Sequence, residues 1–211
     1  RETKVKGQTV TIGAGYPVFG WGGGAKEEAL NRMVKEWVDR RISGFLKEAE
    51  EMVVPDFQAE FSIDIGAEVP HFASGGVTSI LFYTYTYAGG AHGMTTYDCL
   101  NVDLSGEAPR SLGLEDLLVS PEIGLAKLSE LCLADLKKQE ASWVVDGTLA
   151  SLGKDELAVI TISPRGLTFY FEPYAVGSYA EGPYEVTLGF DVVSDVLKMD
   201  LLKSSGVLPT K

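Results

Sequence analysis

Leu30, Met33, Val34, Trp37, Val38, Ile42, Phe45, Leu46 and Ala49 recur at three- and four-residue intervals. That period predicts one helix from about 26 to 51 with a continuous apolar stripe. Lys26, Glu27, Glu36, Arg40, Lys47 and Glu48 fall mainly on its other side, and Glu27–Glu28 suit the positive end of the helix dipole. Pro55 ends the element. A second helix is predicted over 121–139, with Leu125, Leu128, Leu131, Cys132, Leu133 and Leu136 as its apolar positions. Stripes of this kind need a sheet to cover.

Elsewhere the period is two. VKGQTVTI (5–12) reads as a strand, and FQAEFSIDI (57–65) alternates Phe57, Ala59, Phe61, Ile63 and Ile65 with polar residues, as a half-buried strand does. VTSILFYTYTYA (77–88) is a longer strand, joined through the turn GGAHG (89–93) to MTTYDCLNVDL (94–104), its antiparallel neighbour. SLGLEDLLV (111–119) reads as a short helical turn. LAVITIS (157–163) and LTFYFEPYAV (167–176) form a hairpin across the three residues PRG, and YEVTLGF (184–190) follows. DVVSDVLK (191–198) is expected to close the chain as a helix capped by Asp191. GAGYPVFGWGGG (13–24) is an irregular connection; without GxGxxG at a strand–helix junction or a GK[ST] ending it is not a phosphate loop.

This order of elements gives an α+β fold, a mostly antiparallel β-sheet covered by two amphipathic helices. The expected organisation is a single domain over 1–211, read as two interlocked parts at about 1–88 and 89–205.

Charge narrows the partners. The 211 residues carry 18 Lys and Arg against 30 Asp and Glu, a net charge of −12. That excess argues against nucleic acid, whose phosphates need a basic surface, and suits a basic partner. No apolar run reaches the roughly 20 residues of a membrane helix. The chain begins at Arg1 without methionine, which reads as a chain trimmed behind a leader or anchor. Cys99 and Cys132 admit two readings, one disulfide or two buried core thiols, and no cysteine–histidine spacing points to zinc.

The two histidines, His71 and His92, form neither HxH nor HExxH, and neither GxSxG nor SxxK is present. No catalytic residue, metal or cofactor is assigned. In the glycine turn 89–93, His92 reads as a structural cap on the turn, as a metal ligand that His71 could join only through folding, or as part of a recognition surface beside the tyrosine strand. Tyr83, Tyr85 and Tyr87 share one face of that strand, where they serve cross-strand packing or present rigid amphipathic area to a ligand. Tyr174 and Tyr179 stand around the Gly/Pro-rich loop 173–183, where Tyr174 is expected in the core and Tyr179 exposed. The candidate ligand-binding set is therefore Tyr83, Tyr85, Tyr87, Gly90, His92, Tyr174 and Tyr179.

YTYAGGAHGMTTYDCLNVDLSGE, followed by LGLEDLL and by ISPRGLTFYFEPYAVGSYAEGPYEVTLGF, resembles the domain of unknown function of RsiV-type anti-sigma factors and PdaC-type peptidoglycan deacetylases. The helix at 26–51 after a Tyr-Pro pair is similar to that family's N-terminal part, so the resemblance covers about residues 5 to 200. It implies an extracytoplasmic location and a non-catalytic binding or sensing role. In the RsiV type the domain binds lysozyme; in the PdaC type the deacetylase chemistry lies in a separate domain whose metal motifs have no match here. The expected partner is thus a basic protein such as lysozyme or a cell-wall glycan. The competing reading is a cell-wall carbohydrate hydrolase or deacetylase accessory domain, using His92 with Asp98.

Overall fold

The structure, a computed structural model, describes residues 1–52 and 60–208. The expected residues Phe57 to Ala59 of the second strand lie outside the described residues. Two compact units divide the chain, Arg1–Glu68 with Phe82–Thr96 and Val69–Leu81 with Tyr97–Lys211.

The first unit opens with a hairpin where the sequence reading had one strand over 5–12. β1 (Glu2–Val5) pairs antiparallel with β2 (Gln8–Ala14) across the two-residue turn Lys6–Gly7. Both turn residues have positive φ, 45° and 86°, the mirror-image turn that matches strand twist. Lysine rather than asparagine before that glycine is a weak hairpin signal, so the sequence pattern reads through the turn as strand. Helix α1 (Ala25–Met52) follows, as the period predicts, and leads to β3 (Phe61–His71). β2 and β3 are parallel, with Val10 opposite Phe61 and Ala14 opposite Ile65. A helix between two parallel strands is the expected crossover, an exception within a mostly antiparallel sheet. Leu30, Val34, Val38, Ile42, Phe45 and Ala49 of α1 are buried, as are Val10, Ile12, Phe61, Ile63 and Ile65. Trp37 stacks on Phe82 of β4 (Val77–Tyr87) at 3.9 Å, which sets α1 on this face of the sheet.

β3, β4 and β5 (Met94–Asp103) each contribute residues to both units. The large sheet has the order β1-β2-β3-β4-β5-β6. β6 (Arg110–Leu112), unexpected from sequence, pairs antiparallel with β5 where a helical turn was read, and only α2 (Leu114–Leu117) of that segment is helical. β6 returns along the end of β5, with Asn101 opposite Leu112 and Asp103 opposite Arg110, but three residues are too few for a two-residue period to announce a strand.

In the second unit α3 (Pro121–Lys138) buries Leu128, Cys132 and Leu136, and α4 (Ser142–Val145) is a short turn after it. β7 (Ile160–Ser163), β8 (Gly166–Phe171) and β9 (Tyr184–Leu188) form a separate antiparallel sheet. Gly166 pairs with Ser163, so the hairpin loop is two residues, not three. The outer edge of β7 is closed by side chains. Ile162 N–H donates to Ser79 Oγ at 2.9 Å, and Asn101 Nδ2 donates to the Ile160 carbonyl at 2.9 Å. Ser79 Oγ in turn donates to Asn101 Oδ1, and both residues are buried. A strand edge that would otherwise stay unsatisfied is thus completed by one serine and one asparagine.

The closing helix differs from expectation. α5 (Phe190–Val193) is four residues long with Gly189, not Asp191, at its N-cap, and α6 (Met199–Ser204) is a distinct helix. Between them, Val119 N–H donates to the Val196 carbonyl and Lys198 N–H to the Leu117 carbonyl. Pairing with 117–119 takes the backbone groups that a continuous helix would have used internally.

Candidate recognition surfaces

The face of the first unit's sheet opposite α1 carries the tyrosine row. Tyr83 and Tyr85 are 39% and 42% exposed, while Thr84 between them is buried, as a two-residue period requires. Each ring covers a glycine. A Cβ on Gly66 would stand 2.1 Å from Tyr83 Cε2, and one on Gly93 would stand 2.3 Å from Tyr85 Cζ. The rings therefore lie against bare backbone, an aromatic cover for strand glycines that also fixes their orientation. Tyr87 hydroxyl donates to the Gly90 carbonyl at 3.0 Å. His92 Nδ1 donates to the Gly93 carbonyl at 2.9 Å, which puts the ring proton on Nδ1. Tyr83, Tyr85, Tyr87, Gly90 and His92 thus meet on one surface, with two tyrosines holding the glycine turn.

This face continues into a polar hollow of about 590 Å³, to which Lys4, Thr9, Thr11, Ser62 and Tyr87 contribute. Lys4 pairs with Thr9, and Thr11 with Ser62, so an ammonium group on β1 and hydroxyls on β2 and β3 line up across three strands. Sequence alone does not single these residues out, because β1 and β2 together read as one strand. The alternation of Thr9 and Thr11 was the available signal.

Tyr174 and Tyr179 form a separate pair in the second unit, ring centroids 5.5 Å apart. Their expected burial is reversed: Tyr174 is 47% exposed and Tyr179 is half-buried. Tyr174 adopts a φ of 71°, rare for a non-glycine residue, which turns its side chain away from the line of β8. Tyr179 begins a 3-10 turn, Tyr179–Glu181.

Glu181 organises that loop. Its carboxylate accepts from the Ser178 N–H (2.7 Å) and hydroxyl (2.6 Å), the Ser142 N–H (2.9 Å) and hydroxyl (2.8 Å), and the Tyr184 hydroxyl (3.0 Å). These donors, the Ser178 hydroxyl foremost, hold its pKa far below the ordinary 4.5. A depressed carboxylate contributes order above its unfolded value and loses it as pH falls through the folded value. The loop should therefore stay closed at neutral pH and loosen only in strong acid. Glu181→Gln, which replaces one acceptor oxygen with a donor, should raise amide exchange at Ser142 and Ser178 already at neutral pH. Unchanged exchange in the variant would remove Glu181 from this role.

Cys99 and Cys132 are both free thiols, so the disulfide reading is replaced by the core reading. Cys132 is fully buried, but Cys99 is half-buried rather than buried as expected. Burial pushes their pKa values up to about 11 for Cys99 and about 12 for Cys132, so neither is a ready nucleophile. Burial also lowers the pKa of His71, and among the described residues its Nε2 has no hydrogen-bond partner. Asp98, the acid considered with His92, accepts the Cys99 N–H at 2.7 Å. Among the described residues no group of three or more His, Cys, Asp or Glu is placed to hold a metal, and no helix is long and apolar enough to cross a membrane.

Residues 3–95 match the family model described as Deacetylase PdaC, and residues 115–191 match the protein of unknown function DUF3298. The peptidoglycan-N-acetylmuramic acid deacetylase PdaC of Bacillus subtilis (strain 168) is 26% identical over 196 residues. That alignment covers 91% of this chain and 40% of the deacetylase, so the chain spans well under half of its curated relative. A crystal structure of a DUF3298 family member from Bacteroides fragilis aligns with a TM-score of 0.61 at 19% identity, over 93% of this chain and 90% of that one. One from Pseudomonas aeruginosa PAO1 aligns with 0.64 at 18%, over 92% and 87%. At such identities the likeness shows a common α+β fold. Together, a PdaC-matching segment followed by a DUF3298-matching segment on that fold supports a PdaC-associated DUF3298 family as the group this chain resembles.

Proposed function

We propose that this chain is a non-catalytic binding domain of the bacterial cell envelope, acting outside the cytoplasmic membrane, and that its tyrosine-bearing sheet face recognises cell-wall glycan. The observation that carries this is the pair of exposed rings, Tyr83 and Tyr85, each laid over a glycine of a neighbouring segment. Rings backed by bare backbone are rigid and lose little freedom on binding, and their faces suit the apolar side of a sugar ring. Hydroxyls from Thr9, Thr11 and Ser62 lie in the adjoining hollow, where they can meet sugar hydroxyls. The link to the wall comes from the PdaC relative, whose name gives peptidoglycan as its substrate.

Co-sedimentation with purified peptidoglycan sacculi tests the reading. Tyr83→Ala with Tyr85→Ala should weaken retention by about thirtyfold or more, as for anchoring aromatics. The melting temperature should change little, because cross-strand pairs on an exposed face each contribute only about 0.2–1 kcal/mol. Retention equal to the parent chain, or no retention of the parent, would overturn it.

A second reading rests on the net charge of −12 and on the RsiV-type resemblance: the ligand is a basic protein such as lysozyme. Capture of lysozyme that survives loss of the tyrosines and disappears at high salt would favour this partner over glycan.

A further inference from the structure

We infer that the second unit contains a pocket for an alkylammonium group, the side chain of a lysine presented by a partner. A cavity of about 340 Å³ lies between β5, β8 and the segment before β7, at the small end of the range for ligand clefts. Tyr97 and Tyr170 supply aromatic walls, their ring centroids 6.1 Å apart and the planes tilted by 31°. Tyr170 is only 8% exposed and its hydroxyl is hydrogen-bonded to Thr161 Oγ1 at 3.1 Å, so that wall is fixed. Asp155, Glu156 and Glu172 also line the cavity. Glu156 is held in place by the Gly153 N–H, which donates to its Oε2 at 2.8 Å.

The combination selects a chemical class. Tyrosine faces attract cations through the ring quadrupole, and carboxylates beside them reward a compact positive charge and repel anions. Val159, Phe171 and Ala175 leave apolar wall for a hydrocarbon stem. The excess of negative charge over the whole chain draws a cationic partner toward it. None of these residues belongs to the tyrosine sheet face, so the pocket stands or falls independently of the glycan reading.

NMR titration of the whole chain with Nα-acetyl-lysine methylamide, against the same compound acetylated at Nε, is the test. The amine should give saturable shifts around residues 97, 155–159 and 170–175, with affinity at least about tenfold above the acetylated control. Raising salt to about 1 M, where the Debye length is about 3 Å, should weaken it. Glu172→Gln, close in shape to the parent, should weaken it about fivefold with an otherwise unchanged spectrum. Equal affinity for the two compounds, no saturable shift up to about 50 mM, or undiminished binding by Glu172→Gln would each overturn the assignment.

Discussion

Replacing Gly166 with alanine should destabilise the chain by about 4 kcal/mol, the sum of a conformational and a steric cost. Gly166 opens β8 with a φ of 138°, a region that L-residues avoid at a cost of about 1–3 kcal/mol. A Cβ there would also stand 2.1 Å from the Leu188 carbonyl oxygen and 2.8 Å from its carbon. Those atoms are backbone of β9, which is paired to β8 along its whole length, so they cannot yield without breaking the ladder. Overpacking of this kind costs about 1–3 kcal/mol more. For a chain of this size the melting temperature should drop by about 8–16 °C. Gly7→Ala is the control: φ is 86° but nothing lies within 4 Å of the added carbon, so only the conformational cost of about 1–2 kcal/mol remains. Equal shifts for the two variants would show that the contact with Leu188 does not constrain β8.

Asn101→Leu should cost about 3 kcal/mol, although it exchanges a polar for an apolar residue in a buried place. Asn101 is 2% exposed, and its loss leaves the Ile160 carbonyl without a donor and the Ser79 O–H without an acceptor, although Ser79 Oγ still accepts from Ile162 N–H. Each orphaned buried group carries a penalty of about 1–3 kcal/mol, more than the burial of leucine returns. Ser79→Ala should be costly for the same reason, since it strands the Ile162 N–H. The two losses overlap, because both residues act on one strand edge. The double variant should fall short of additivity by about 1–2 kcal/mol. Denaturant melts of the four proteins provide the cycle; additive losses would mean that serine and asparagine act separately.

How far each feature could be read from sequence follows the range of the interaction behind it. The helices at 25–52 and 121–138 matched their apolar period to within a residue or two, because an amphipathic stripe long enough to span many turns has one regular solution. The tyrosine face was equally legible, since alternation along β4 places Tyr83 and Tyr85 together whatever the strand pairs with. The β1–β2 turn failed because Lys6 takes a positive φ without the asparagine that usually signals it. β6 failed because a three-residue strand is too short for its alternation to show, and the break between α5 and α6 failed because its backbone partners, Leu117–Val119, lie far away in the chain.

The sequence by itself determined the class of fold, the two covering helices, the hairpin at 160–171 and the shared side of the tyrosines. All rest on local period and turn chemistry, which are encoded within about one element's length. Only the tertiary structure decided which aromatics are available to a ligand. Tyr174 faces outward through its own positive φ, and the loop holding Tyr179 is set by Glu181 bonding back to Ser142 across 39 residues. Tyr97 meets Tyr170 through pairings that no local pattern specifies. Hydrogen bonds and ring contacts between distant segments carry no periodic signature, so side-chain exposure at such sites emerges only when the chain has folded.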